Sequence, residues 1–297
     1  MSTHATPVED SAEARLLAVD ETALRFVDFA LGEDLGSGDW TTRWTVPPRA
    51  RVEATLVAGA AGVVAGLPVA AAVFRRLSPK VEATLCRASG DALVAGETIA
   101  VLCGPARAIL AGEHTALGIL GRLSGIATFA RRYVTALAGT GAAVLGGSGT
   151  PGWRALEAVA MRAGGAVPHR VGLDDAVVLR PTHLAVAGST AEAVRRARDL
   201  NTRALRIEVE VADEAGAAEA VAAGADVVLL SSMDLETIRA AARRIARGRV
   251  RPLLCVSADV PPEAARALAD AGADAILLRG LPVAAPLFPV ALTCTPR

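Results

Sequence analysis

An eight-residue phrase that occurs twice most narrows the folds open to this chain. Ala-Gly-Ala-Asp-Val-Val-Leu-Leu at 223–230 returns as Ala-Gly-Ala-Asp-Ala-Ile-Leu-Leu at 271–278. In each copy an Ala-rich stretch ends at glycine and runs into four apolar residues, the pattern of a helix followed by a strand buried on both faces. From Ala142 onward the same alternation recurs, and it predicts strands at 142–145, 176–180, 205–211, 226–230, 252–257 and 274–278. The intervening helices have legible ends. Ser189 or Thr190 caps 191–200, Asp234 caps 235–247 before Gly248, and Pro262 opens 262–271 before Gly272. Strands alternating with helices give a parallel sheet with helical crossovers, here at the spacing of a barrel.

Residues 50–104 read differently, as short alternating runs at 51–57, 81–87 and 98–102 separated by glycines. They predict a β-rich domain. Helices are expected at 107–121 and 126–138, and 288–294 suits a final strand returning to the β-rich part. The expected division is an arm without regular structure at 1–20, a β-rich N-terminal domain of 21–117 plus 284–297, and a barrel of 118–283. A chain of 297 residues accommodates two such domains. No segment runs eighteen residues without a charge or a Gly/Pro cluster, so no membrane span is expected. The acidic first 20 residues carry no apolar core, against a signal peptide. Cys86, Cys103, Cys255 and Cys294 lack the spacing of a metal knuckle, which argues for reduced thiols in the cytoplasm and against zinc. The formal charge is zero and no basic run is interleaved with aromatics, which disfavours nucleic acid as a partner. Small molecules are expected instead. Of 31 basic residues only Lys80 is lysine, so any chemistry requiring lysine has one candidate.

A parallel barrel carries its active site at the carboxyl ends of the strands. Those ends are polar here: Arg180 closes 176–180, Glu208 and Glu210 share one face of 205–211, Ser231 and Ser232 follow 226–230, Ser257 ends 252–257, and Arg279 ends the last strand. Two ionised carboxylates inside a packed barrel are costly unless they meet a cation, such as Arg180 or Arg279, or a ligand. His169 and Arg170 stand side by side after Gly164-Gly165, a pairing suited to gripping a carboxylate.

Several blocks in order resemble the quinolinate phosphoribosyltransferase family over roughly residues 22–294. They are 30–42 (Ala-Leu-Gly-Glu-Asp-Leu-Gly-Ser-Gly-Asp-Trp-Thr-Thr), Gly62-Val63-Val64-Ala65-Gly66, Gly90-Asp91, Glu113-His114-Thr115-Ala116-Leu117, and Leu123-Ser124-Gly125-Ile126-Ala127-Thr128. Thr150-Pro151-Gly152, Gly164-Gly165, His169-Arg170 and Ile207-Glu208-Val209-Glu210-Val211 continue the series. The resemblance implies an α/β fold, an open α/β barrel like that of type II phosphoribosyltransferases, with an α+β, β-rich N-terminal domain. It also implies a homodimer whose site is shared between subunits. The family reaction takes phosphoribosyl pyrophosphate with magnesium, transfers ribose phosphate to the nitrogen of quinolinate and releases carbon dioxide.

The differences from the family fall on ligand-binding positions. Before Thr150 the family's Asp-Thr-Arg-Lys-Thr is Leu145-Gly146-Gly147-Ser148-Gly149; Glu-Arg-Thr is Glu113-His114-Thr115; Lys-Asp-Asn-His is Arg180-Pro181-Thr182-His183; and Asp-Asn is Ser231-Ser232. The phosphate loop Glu-Ala-Ser-Gly-Gly is Cys255-Val256-Ser257-Ala258-Asp259, where Asp259 repels phosphate, and Val-Gly-Ala is Leu278-Arg279-Gly280. This pattern predicts a repurposed enzyme that holds a small carboxylated molecule. His169 and Glu210 are its expected acid–base pair, and Arg170, Arg180, Arg154, Glu208, His183, His114, Ser257 and Arg279 its binding groups, with no cofactor. Two alternatives stand beside it. One is the family reaction itself, with Arg180 and Arg279 replacing the missing cations and Glu210 holding magnesium; the other is a non-catalytic partner protein.

Overall fold

The computed structural model describes residues 20–147, 149–231, 234–246 and 251–297. The arm expected at 1–20 lies outside them except for Asp20, as do Ser148, Ser232 and the expected helix end at 247–248. The chain forms two compact units, one running to Thr128 and taking in Pro286–Arg297, the other Phe129–Ala285.

In the first unit α1 (Glu21–Leu35) and α2 (Trp40–Thr45) each begin at an aspartate. Asp20 accepts the Ala23 N–H at 2.8 Å and Asp39 that of Thr42 at 2.9 Å, satisfying amides that the helix leaves unpaired. β1 (Arg51–Ala58) alternates, burying Val52, Ala54, Leu56 and Ala58. It lies in an antiparallel four-stranded sheet of order β13-β1-β5-β3, formed with β3 (Glu82–Leu85), β5 (Thr98–Pro105) and the returning strand β13 (Val290–Pro296). A two-stranded ladder of β2 (Gly62–Val63) and β4 (Ala92–Leu93) and the apolar helix α3 (Leu67–Leu77) complete it.

The two helices expected at 107–121 and 126–138 are one helix, α4 (Ala106–Ala136). Gly121 and Gly125 do not break it; they let the 286–288 segment lie against its backbone. A Cβ on Gly125 would meet the Pro286 carbonyl oxygen at 2.1 Å, and the Phe288 N–H donates to the Gly121 carbonyl at 2.9 Å. Ser124 and Thr128 on the same helix accept the N–H groups of Ala65 and Val63 at 3.0 and 2.9 Å.

The second unit is a seven-stranded, wholly parallel open barrel of order β7-β6-β12-β11-β10-β9-β8. Its strands are β6 (Ala143–Gly146), β7 (Val167–Pro168), β8 (Val177–Leu179), β9 (Ile207–Val211), β10 (Val227–Ser231), β11 (Leu253–Ser257) and β12 (Ala275–Leu278). Between and after them run α5 (Arg154–Ala163), α6 (Pro181–Ala187), α7 (Thr190–Leu200), α8 (Glu214–Ala223), α9 (Leu235–Ala246), α10 (Pro262–Asp270) and the short α11 (Leu281–Ala284). Six strands fall where the sequence predicts them. The seventh, β7, is two residues long and unanticipated.

The repeated Ala-Gly-Ala-Asp phrase does the same work twice. Asp226 accepts the Ile207 N–H at 2.7 Å and pairs with Arg198; Asp274 accepts the Leu254 N–H at 2.8 Å and pairs with Arg251. Each aspartate thus ties the amino end of its strand to the strand beside it. The preceding glycines, Gly224 and Gly272, hold φ of 85° and 109°, which lets each helix stop sharply before the strand.

Candidate active site

The strand register decides which side chains meet inside the barrel. Val227 lies opposite Glu208, Leu229 opposite Glu210 and Cys255, and Ser231 opposite Ser257. Val227, Leu229, Cys255, Ala275, Leu277 and Leu145 form one apolar cluster. With a period of two, Glu208 and Glu210 project on the face of that cluster, and Ser231, Ser257 and Arg279 crown it at the carboxyl ends. Burial pushes the Cys255 thiol up, so it stays protonated as part of the core.

His169, just past β7, continues the ladder by donating its N–H to the Gly146 carbonyl at 2.8 Å. Its ring reaches Glu208, with Nε2 lying 2.9 and 2.8 Å from the two carboxylate oxygens. The bond runs from a strand end at one edge of the open sheet to β9, next to the other edge. Glu208 is 1% exposed and the His169 side chain 10%. Enclosed this far, an ionised Glu208 requires Nε2 to carry the hydrogen, which fixes the ring's orientation. The histidine's hydrogen-bond partner is therefore Glu208, and Glu210, expected with His169 to do acid–base chemistry, is bonded elsewhere.

Glu210 belongs to a second network. Arg279 lays its guanidinium across three strand ends, donating from Nε to Ser257 Oγ at 2.6 Å and from one Nη group to Glu210 Oε1 at 2.7 Å and Ser231 Oγ at 3.0 Å. Ser231 Oγ donates to the same Glu210 oxygen at 2.8 Å. Burial acts to raise the Glu210 carboxyl. The hydrogen bonds from Arg279 and Ser231, with the charges of Arg279 and Arg180, outweigh it and hold the group below its ordinary range.

Arg154 opens α5, Arg170 follows β7 and Arg180 follows β8, so with Arg279 four arginines belong to segments that leave the carboxyl ends of strands. No ion pair or hydrogen bond engages the Arg154, Arg170 or Arg180 guanidinium among the described residues. His183 is exposed and accepts the Arg180 N–H on Nδ1 at 3.1 Å, so from the first turn of α6 it satisfies the amide of the N-cap residue Arg180. His114 is exposed on α4, in the other unit, and takes part in none of these bonds. A cleft of about 600 Å³ between α8 and α9, lined by Glu214, Val221, Arg243 and Arg244, includes none of the strand-end polar groups.

Glu157 was not anticipated from the sequence, and Asp259, expected only to repel phosphate, has a hydrogen-bonding role as well. Glu157 is fully buried and accepts the Thr150 N–H at 2.7 Å and its hydroxyl at 3.1 Å, pinning the turn after β6. Its signal was faint, a lone acid among the apolar residues of a helix. Asp259 accepts the Gly280 N–H at 3.0 Å and so occupies the backbone amide next to Arg279.

A magnesium ion held by the protein does not fit these donors. Glu208 gives both oxygens to His169, Glu210 is bound by Arg279 and Ser231, and among the described residues no three His, Cys, Asp or Glu groups cluster to hold a metal. An ion taken by Glu210 would share its carboxylate with the Arg279 guanidinium and the Ser231 hydroxyl, both on Oε1.

An open parallel barrel with convergent charged groups at its strand ends defines an enzyme scaffold whose ligand enters at the mouth. The chain belongs to the quinolinate phosphoribosyl transferase family: residues 39–124 match its N-terminal domain and residues 126–292 its C-terminal domain. It is 37% identical over 247 residues to a probable carboxylating nicotinate-nucleotide pyrophosphorylase of Synechocystis, covering 83% of each chain. To the human carboxylating nicotinate-nucleotide pyrophosphorylase it is 35% identical, covering 77% of each. The crystal structure of NadC from Streptococcus pyogenes superposes with a TM-score of 0.86 at 30% identity, over 98% of this chain and 100% of that one. The nicotinate-nucleotide pyrophosphorylase of Francisella tularensis gives 0.88 at 27%, over 94% and 99%. No helix among the described residues is long and apolar enough to cross a membrane.

Proposed function

We propose that the chain is a quinolinate phosphoribosyltransferase of NAD synthesis, joining the ring nitrogen of quinolinate to the ribose phosphate of phosphoribosyl pyrophosphate with loss of pyrophosphate and carbon dioxide. The likeness to carboxylating nicotinate-nucleotide pyrophosphorylases over most of the chain supports this over a repurposed enzyme. One observation carries it in the site: Arg154, Arg170 and Arg180, in the segments that follow strand ends, have guanidiniums engaged by no hydrogen bond or ion pair among the described residues, while both interior carboxylates already have hydrogen-bond partners. A mouth with surplus cations suits substrates that bring several negative charges. In this reading Arg154 and Arg170 grip the two carboxylates of quinolinate beside the oriented His169. Arg180 and Arg279 face the donor's anionic oxygens, and magnesium arrives as part of the donor.

A second reading, proton-transfer chemistry by His169 and Glu210 on a small carboxylated molecule without the donor, is favoured by Asp259. Its carboxylate takes the amide beside Arg279 and sets a negative charge where phosphate would lie. The two are separated by incubating the protein with quinolinate, phosphoribosyl pyrophosphate and magnesium and following nicotinate mononucleotide by mass spectrometry. Product at an enzymatic rate is expected; no product, with no donor binding at millimolar concentration, overturns the first reading. The homodimer implied by the family is supported by the exposed Phe29 and Trp44 on α1 and α2, and light scattering of the eluted protein tests it. Four free cysteines suit a cytoplasmic setting.

A further inference from the structure

The guanidinium of Arg279 is bound along one side only. Nε and one Nη group are taken by Ser257, Glu210 and Ser231, while the second Nη group has no partner among the described residues and the side chain is 43% exposed. We infer that Arg279 is the barrel's built-in cation, receiving an anionic group of the substrate through this free Nη group with Arg180 nearby, so that no divalent metal bound to the protein is needed. The inference shares with the proposed reaction only the premise that ligand enters the barrel mouth.

Four features converge on it. Three oxygens from three strands hold the arginine in place, so little side-chain freedom is left to lose when an anion arrives. A divalent ion on Glu210 would have to share one carboxylate with the guanidinium, and two cations at contact distance repel. Gly147, just after β6, has no room for a side chain that could supply the charge instead: a Cβ there would lie 2.4 Å from the Arg279 carbonyl oxygen and 2.5 Å from its Cα. The neighbouring amide of Gly280 is closed by Asp259, leaving the guanidinium as the available donor at this strand end. The loop that carries Asp259 is itself tethered, by the Ala258 N–H to the Leu277 carbonyl at 3.1 Å and by the Tyr133 hydroxyl to the Val260 carbonyl at 2.9 Å.

The test is calorimetric titration of the whole protein with inorganic pyrophosphate and, separately, with quinolinate, each in EDTA and in magnesium. At least one probe is expected to bind in EDTA with an affinity that magnesium changes by less than twofold. Arg279→Gln, which keeps a polar side chain but removes the charge, is expected to weaken that binding at least tenfold. Asp259→Asn keeps an acceptor for the Gly280 N–H and removes the negative charge, and is expected to tighten binding at least twofold. Tenfold tighter binding in magnesium, indifference to Arg279→Gln, no gain from Asp259→Asn, or no binding of either probe at millimolar concentration each overturns the inference. Product formation measured in parallel separates the two ideas. Turnover with metal-requiring binding sinks the built-in cation and keeps the reaction; metal-independent binding without turnover does the reverse.

Discussion

Replacing Glu208 by alanine removes the acceptor for both hydrogen bonds of His169, at 2.9 and 2.8 Å, from a site where the carboxylate is 1% and the imidazole side chain 10% exposed. Water reaches neither group freely enough to substitute. Breaking a buried pair by deleting one partner costs about 3–5 kcal/mol. For a unit the size of Phe129–Ala285, where each kcal/mol moves the midpoint by about 2–4 °C, that lowers thermal stability by roughly 6–20 °C. Glu208→Gln keeps a carbonyl oxygen to accept the Nε2 hydrogen and is expected to lose less than half as much. The decisive assay is a double-mutant cycle with His169→Ala measured by urea unfolding. His169→Ala alone strands the carboxylate, so the two single losses overlap and the double variant falls short of their sum by about 2–3 kcal/mol. A coupling below about 0.5 kcal/mol, or Glu208→Gln as damaging as Glu208→Ala, refutes the claim that this bond holds β7 to β9.

Glu210, whose carboxyl is held below its ordinary range, contributes stability that is present above about pH 4.3 and is lost as the pH falls through the lowered folded value. Urea midpoints for Glu210→Gln are therefore expected to fall less steeply between pH 5 and 3 than those of the parent protein. Asp226→Ala and Asp274→Ala each strand a strand amide, that of Ile207 or Leu254, and are expected to cost about 1–3 kcal/mol in urea unfolding, with the asparagine variants milder. Gly147→Ala drives a methyl against the backbone of Arg279 and is expected to cost about 1–3 kcal/mol; since the obstacle is backbone, adding Arg279→Gly should not restore the thermal midpoint.

What was legible in the sequence was whatever is periodic or punctuated. Six barrel strands are apolar runs bounded by glycine or polar residues, and Ser189, Asp234 and Pro262 mark helix starts as expected. β7 was not legible because two residues carry no period, and one of them is Pro168, which offers no N–H to a ladder. The single helix α4 read as two because Gly121 and Gly125 look like breakers until the chain packed against them is known. In the candidate site, the rule that barrel strand ends are the place to look pointed to Glu208, Glu210, Arg180, Ser257 and Arg279, of which Glu210, Ser257 and Arg279 share one network. It could not find which acid meets His169, since that depends on register across an open barrel between residues 39 positions apart. Asp259 was read from its charge alone, as a repulsion; its hydrogen bond to Gly280 adds a positioning role that no local pattern announces.

The two networks divide the labour of the mouth by how deeply each lies. Deep in the barrel, Glu208 and His169 face each other with almost no solvent and are already bonded to each other. Nearer the surface, Glu210 and Arg279 form an ion pair, yet Arg279 keeps one face open, and Arg154, Arg170 and Arg180 add guanidiniums that no hydrogen bond or ion pair engages among the described residues. An anion entering there meets positive charge without having to displace an internal acid. Had Glu210 stood without Arg279, the same anion would meet an uncompensated carboxylate, and only an added metal ion would reverse the sign. The order of the strands makes the difference: β12 sits between β6 and β11, and a long side chain at its end spans Ser257, Ser231 and Glu210 in one reach, which a residue on β6, one strand further out, does not. If Arg279 receives the substrate's anion as inferred, placing the cation on β12 ties that binding to the same bonds that pair the interior acid. Losing Arg279 should cost anion binding and the low Glu210 carboxyl together rather than either alone.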